Sequence, residues 1–157
     1  MHPFDLKTIL LEKHAQHVVL IHFPIALLMM GVTFDFLARW RNKKSLGDAA
    51  YYNFTAAALF TVPTIATGLI AWQWQFEGAR LRGNLRLHLL LALTSTILIW
   101  AVWMLHFLRR RTGGGDNSSA TLVGVELLAV VLIAMTAHIG GILSGINTSI
   151  VASGQNH

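Results

Sequence analysis

The chain contains no cysteine among its 157 residues. That excludes disulfides, thiolate-held iron–sulfur clusters and the Cys-x-x-Cys-His attachment of c-type haem. Charge is scarce as well. Asp, Glu, Lys and Arg together make up 12%, about half the share usual in soluble domains, which is too little to cover a soluble globule. Acidic residues are the scarcer sign, seven against twelve Lys and Arg, for a net charge of +5. This basic excess does not read as a nucleic-acid surface, because it collects at the ends of apolar runs, as membrane topology requires. Catalytic patterns are missing too. There is no Gly-x-Ser-x-Gly, no His-Glu-x-x-His and no carboxylate pair at catalytic spacing within one helix. The stretch Gly113-Gly114-Gly115-Asp116-Asn117-Ser118-Ser119 lacks the lysine and strand-helix context of a phosphate-binding loop. The sequence therefore points away from a stand-alone enzyme.

What the chain does have is hydrophobicity, 54% of its residues, gathered into long runs. Four segments are long enough to cross about 30 Å of hydrocarbon as helices: Gln16 to Trp40, Ala49 to Gln75, Leu85 to Leu108 and Ala120 to Ile146. The first run reads as a retained span. No basic cluster directly precedes it and no small-residue cleavage site follows it. The expected fold is an all-α integral membrane four-helix bundle, up-down-up-down. It has an interfacial N-terminal segment (1–15), a four-helix transmembrane domain (16–146) and a polar C-terminal tail (147–157). Asp5 to Lys13 has the pattern of a short amphipathic helix lying on the bilayer.

Short connections make sequential helices antiparallel neighbours. Arg39, Arg41, Lys43, Lys44, Arg109, Arg110 and Arg111 then fall on one side, and Lys7, Lys13, Arg80, Arg82 and Arg86 on the other. The positive-inside rule places the seven-cation side in the cytoplasm and both termini outside a bacterial inner membrane.

That threading brings His22, His88 and His138 to one depth. Each lies in a long apolar run on a different span. At 1.5 Å per residue all three fall within roughly 12 Å of the outer boundary. On the fourth span His138 shares a stripe with Ala134, Gly141 and Gly145, small residues that let a backbone or a flat macrocycle approach. His106 lies 18 residues beyond His88, on the same helical face and about 27 Å away. The second span offers Ala57, Thr61, Thr64, Gly68 and Ala71, a stripe that leaves room in the bundle centre.

Neutral imidazole is the common axial ligand of b-type haem, and helical bundles build such sites from facing side chains. The expected pair is His22 with His88 or His138, with Gly141 and Gly145 giving the macrocycle clearance. Three neutral histidines also suit Zn²⁺ or Cu with one open position. The bland alternative is histidines hydrogen-bonding between helices with no cofactor. Ionisable residues inside membranes are functional by default, and three at one depth favour a ligand role. His2, His14 and His157 read as incidental, and His17 as interfacial or a supporting partner.

Asp35, His106 and Glu126 form a looser layer near the other face. They offer a proton path or a site for a quinone head. For Asp35 and His106 the preferred reading is boundary residues paired with Arg39 or Arg109; Glu126 is left open. Trp40, Trp72, Trp74 and Trp103 fit interfacial belts. Pro24 and Pro63 each remove a helix hydrogen bond.

The run Val19-Leu20-Ile21-His22-Phe23-Pro24-Ile25-Ala26-Leu27-Leu28, the third-span His88 and the late His138-Ile139-Gly140-Gly141 resemble an uncharacterised bacterial family of small four-span membrane proteins, domain of unknown function 2231. The likeness covers essentially the whole chain. Where that family carries an early His-Pro, this sequence reads His17-Val18. The family occurs beside or fused to c-type cytochrome modules, so the resemblance implies a redox role. The expected function is a membrane-embedded b-type haem protein or redox-complex subunit. Its expected partners are the lipid bilayer, a c-type cytochrome or other periplasmic redox protein, the quinone pool, and a second copy or another subunit. A Zn or Cu handling protein and a non-catalytic membrane subunit or assembly factor are the alternatives.

Overall fold

A computed structural model of the chain describes residues 13–75, 82–113 and 120–144. Four helices follow one another: α1 (Lys13–Arg41), α2 (Lys44–Gln75), α3 (Gly83–Thr112) and α4 (Ala120–Leu143). The expected segment before the first span, Arg80, Gly145 and the polar tail lie outside the described residues, apart from the first residues of α1. All four helices are long and apolar enough to span a bilayer. Their exposed large side chains, among them Val19, Phe36, Leu59, Ile97 and Leu127, are what a lipid-facing surface requires, and the chain is a membrane protein in contact with the bilayer.

Two helices run longer than their apolar cores. Lys44-Ser45-Leu46-Gly47-Asp48 adds a polar first turn to α2, and Arg109-Arg110-Arg111 extends α3. Long basic side chains reach the interface from such positions. Only Asn42 and Lys43 separate α1 from α2. Asn42 takes the left-handed conformation (φ 48), and the Lys43 amide donates to the Ala38 carbonyl at 3.1 Å. Gly113 ends α3 in the same region (φ 64), its amide donating to the Arg109 carbonyl. Pro24 and Pro63 lie inside continuous helices.

Helix α1 packs most extensively on α2, and α3 on α4; the two hairpins meet mainly through α2 and α3, with a lighter α1–α4 contact. The buried core is Leu28, Ala50, Phe54, Ala57, Ala58, Ile99, Val102, Ala129 and Ile133. It occupies the stretch from mid-bundle toward the end that carries the α1–α2 and α3–α4 connections. At the opposite end no described residue of α3 before Ser95, or of α4 after Ile133, is fully buried.

The α2 small-residue stripe is a packing seam, not open space. Ala57 is fully buried and Thr61 nearly so, Thr64 donates to the Leu20 carbonyl of α1 at 3.3 Å, and Gly68 faces the His17 ring. Two indoles cross from α3 to α2. The Trp100 Nε1 proton goes to Thr61 Oγ1 at 3.1 Å, and that of Trp103 to Thr55 Oγ1 at 3.2 Å. Trp103 thus joins two helices as well as sitting near a boundary. Trp100→Phe keeps most of the ring and loses the bond, so thermal unfolding in detergent should report a loss of about 1 kcal/mol. An unchanged melting temperature would mean that the indole bond adds nothing to the α2–α3 contact.

Candidate functional site

Each helix turns one heptad-like stripe inward. On α3 it is Ser95, Ile99, Val102 and His106; on α4, Leu122, Glu126, Ala129 and Ile133; on α1, Pro24, Leu28, Gly31, Asp35 and Ala38. Each of these stripes carries one ionisable residue, at similar depth. The result is a buried cluster at the connection end. His106 Nε2 lies 2.8 Å from Glu126 Oε1. Arg39 forms an ion pair with Asp35 one turn earlier on α1 and stands 3.9 Å from the same Glu126 oxygen. The Phe54 ring covers the imidazole at 4.6 Å between centroids. Asp35, His106 and Glu126 each offer a ligand atom within 4.8 Å of the others.

Asp35 pairs with Arg39 as the sequence suggested, but His106 does not pair with a boundary arginine. It bonds to Glu126, and both are buried. The looser layer is in fact one network. The three stripes were available in the sequence as a signal: each ionisable residue stands among small or apolar residues at three- and four-residue spacing. The network holds one fixed cation (Arg39), the anion it pairs with (Asp35), and the hydrogen-bonded His106–Glu126 pair. Such a cluster can hold and pass a proton, or hold a cation if Arg39 swings away.

A cavity of about 450 Å³ reaches the network from the connection end, lined by Asp35, Arg39 and His106 on one side and by Lys43, Lys44, Arg109 and Arg110 toward the mouth. Sequence inspection did not find it, because it depends on how the α1–α2 turn meets the end of α3.

The other histidines sit at the opposite end, as the threading required, but on different faces. His88 lies seven residues before Ser95, so it continues the inward stripe of α3. It is half-buried. Its Nδ1 is 3.2 Å from the Thr136 carbonyl of α4. A carbonyl only accepts, so Nδ1 carries the proton and a neutral ring keeps its lone pair on Nε2. The ring rests against Gly140, where an added Cβ would come within 3.1 Å of Cε1. Below it Ser95 meets Thr136 Oγ1 at 3.0 Å, and Thr136 in turn donates to the Leu132 carbonyl at 2.8 Å.

His22 is exposed and bonds within its own helix, Nδ1 to the Val18 carbonyl at 2.6 Å. At about 100° per residue it lies across α1 from the inward stripe. His138 is exposed on the outer side of α4 in the same way, and Gly141 is half-buried beside it, its carbonyl accepting from Ser144 Oγ at 3.0 Å. Among the described residues, His22, His88 and His138 do not gather into one ligand set. The inward imidazole of α1 is His17 instead, its Nδ1 3.2 Å from Thr67 Oγ1 and its ring against Gly68.

A family model described as "Predicted membrane protein (DUF2231)" matches residues 13–147, most of the chain. No curated protein and no solved structure matches it.

Proposed function

We propose that this chain, which belongs to the DUF2231 family of predicted membrane proteins, binds b-type haem at its histidine end and carries electrons in a membrane redox complex. The observation that carries the reading is His88. It is an inward imidazole whose Nδ1 proton is held by the Thr136 carbonyl, the second partner that usually fixes a ligating histidine's tautomer and orientation. It lies in the half of the bundle where no described residue of α3 or α4 is fully buried. His17, also inward, is the matching imidazole from α1 in this reading. His22 and His138 face outward, where a second copy or another subunit would meet them.

When bound, haem supplies a one-electron couple. The chain's own part is to hold the iron through neutral imidazoles, exclude water with the apolar helix faces and keep His88 oriented through Thr136 and Ser95. The surplus of cations at the connection end supports placing that end in the cytoplasm and the histidine end outside. The site then lies on the side of a periplasmic c-type cytochrome or oxidoreductase, with the quinone pool as the membrane partner.

The test is a reduced-minus-oxidised visible spectrum of the detergent-purified chain expressed with ample haem, with a pyridine haemochrome assay. The expected result is a b-type α-band that survives His22→Ala and His138→Ala. His88→Ala should abolish it, and Gly140→Val, which pushes on the ring, should weaken it. A featureless wild-type spectrum would sink the haem reading.

One observation favours a second reading, transition-metal binding. Two carboxylates and an imidazole, Asp35, Glu126 and His106, stand within ligand reach of a common point, a donor set suited to Zn²⁺, Mn²⁺ or Fe²⁺. Arg39 already supplies positive charge there, so a metal has to displace it. Stoichiometric metal without a porphyrin spectrum, lost in Glu126→Gln, would favour this reading. Neither metal nor haem would leave a non-catalytic membrane subunit.

A further inference from the structure

We propose that the cavity at the connection end is a binding site for the phosphate headgroup of an anionic phospholipid. Five cations, Arg39, Lys43, Lys44, Arg109 and Arg110, line it with two carboxylates, Asp35 and Asp48. Both carboxylates are engaged: Asp35 by Arg39, and Asp48 by Arg110 at 2.6 Å, whose guanidinium also stacks 4.5 Å over Tyr51. Lys43, Lys44 and Arg109 have no carboxylate within 4.0 Å among the described residues. Lys43 and Lys44 are exposed at its rim and Arg109 is half-buried; cations sharing one cavity repel one another, and an anion among them relieves that repulsion.

Helix geometry adds to the excess. Helix α2 begins at Lys44, and Lys44 and Gly47 of its first turn line the cavity, so the positive end of the α2 dipole points there. The C-terminal ends of α1 and α3, which would repel an anion, carry Arg39, Arg41, Arg109, Arg110 and Arg111 in their last turns.

Position selects a lipid. The cavity lies where α1 and α3 end and α2 begins, at the level where headgroups sit. Phe36, Trp40 and Tyr52 on the same end of the bundle are 64%, 71% and 65% exposed, giving acyl chains an apolar, aromatic-edged surface at that level. A volume of about 450 Å³ admits a glycerophosphate group. Basic pockets between helices at the cytoplasmic level are a recurrent headgroup-binding device.

The test titrates the full-length chain in neutral detergent with phosphatidylglycerol, with phosphatidylcholine and with inorganic phosphate, read by native mass spectrometry. Phosphatidylglycerol should bind with one tight site and phosphatidylcholine should not. The combined Lys43→Gln, Lys44→Gln and Arg109→Gln variant should weaken the tight site about tenfold to a hundredfold. Lys43→Arg, Lys44→Arg and Arg109→Lys together should restore it. Arg82→Gln with Arg86→Gln, at the other end, should leave it unchanged. Circular dichroism of each variant separates loss of the site from loss of the fold. Equal binding of the two lipids overturns the proposal, as does indifference to the cavity substitutions or equal loss in the Arg82 and Arg86 control. Inorganic phosphate binding as tightly as the lipid would assign the cavity to a free anion and overturn the lipid assignment.

Discussion

Arg39→Leu is expected to destabilise the bundle by about 3–5 kcal/mol, the cost typical of removing one partner from a buried ionic group. Among the described residues Arg39 is the one fixed cation in contact with the buried network at the connection end, and its side chain is 18% exposed. It holds Asp35 directly and stands 3.9 Å from Glu126. Without it the Asp35 and Glu126 carboxylates lie within 4.8 Å of each other across the α1–α4 contact, beside the His106 imidazole. The network answers by protonation or by separating the helices, and either response lowers stability. Asp35→Asn introduced with Arg39→Leu removes one of the orphaned charges and should recover part of the loss. Chemical denaturation in mixed micelles, followed by circular dichroism, measures both. A single-variant loss below about 1 kcal/mol would show that the cavity hydrates the carboxylates well enough to make the arginine dispensable.

Gly31→Val should cost about 3 kcal/mol, at the upper end of overpacking effects in well-filled cores. A Cβ built at Gly31 comes 2.5 Å from Cε1 and 2.7 Å from Cδ1 of Phe54. Phe54 has no exposed surface and its ring also meets the His106 ring, so moving it disturbs the His106–Glu126 pair. Valine gains about a few tenths of a kcal/mol in helix propensity over glycine, far less than the clash. Phe54→Leu in the Gly31→Val background opens space and should be less harmful than in the wild type, giving a measurable coupling in a double-mutant cycle. Additive effects would show that the two residues do not press on each other.

The four spans were legible because their cause is local. Segments of more than twenty predominantly apolar residues bounded by arginine, lysine, glycine and asparagine can satisfy their backbone in a bilayer only as helices. The ends moved by a few residues where polar first and last turns, Lys44-Ser45-Leu46-Gly47-Asp48 and Arg109-Arg110-Arg111, continued the helix beyond the apolar core. The common depth of His22, His88 and His138 was legible for the same reason, since depth follows from residue count. Their facing was not. Depth alone placed three imidazoles together, whereas rotation about each helix axis turns His88 inward and His22 and His138 outward.

The Asp35, His106 and Glu126 network shows the complementary case. Each residue stood within a stripe of inward spacing, but proximity to Arg39 and Arg109 in sequence suggested separate boundary ion pairs. By itself the sequence determined a four-span helical membrane protein and the asymmetry of its cations, because apolar length and charge position act along the chain. The tertiary structure decided which faces meet. It chose Glu126 as the partner of His106, seated His88 on Gly140 beneath the Thr136 carbonyl, and gathered Lys43, Lys44 and Arg109 around one cavity. These outcomes depend on how each helix is rotated and on small residues such as Gly31 and Gly68 that let α1 and α2 close together, and neither is written in any single segment.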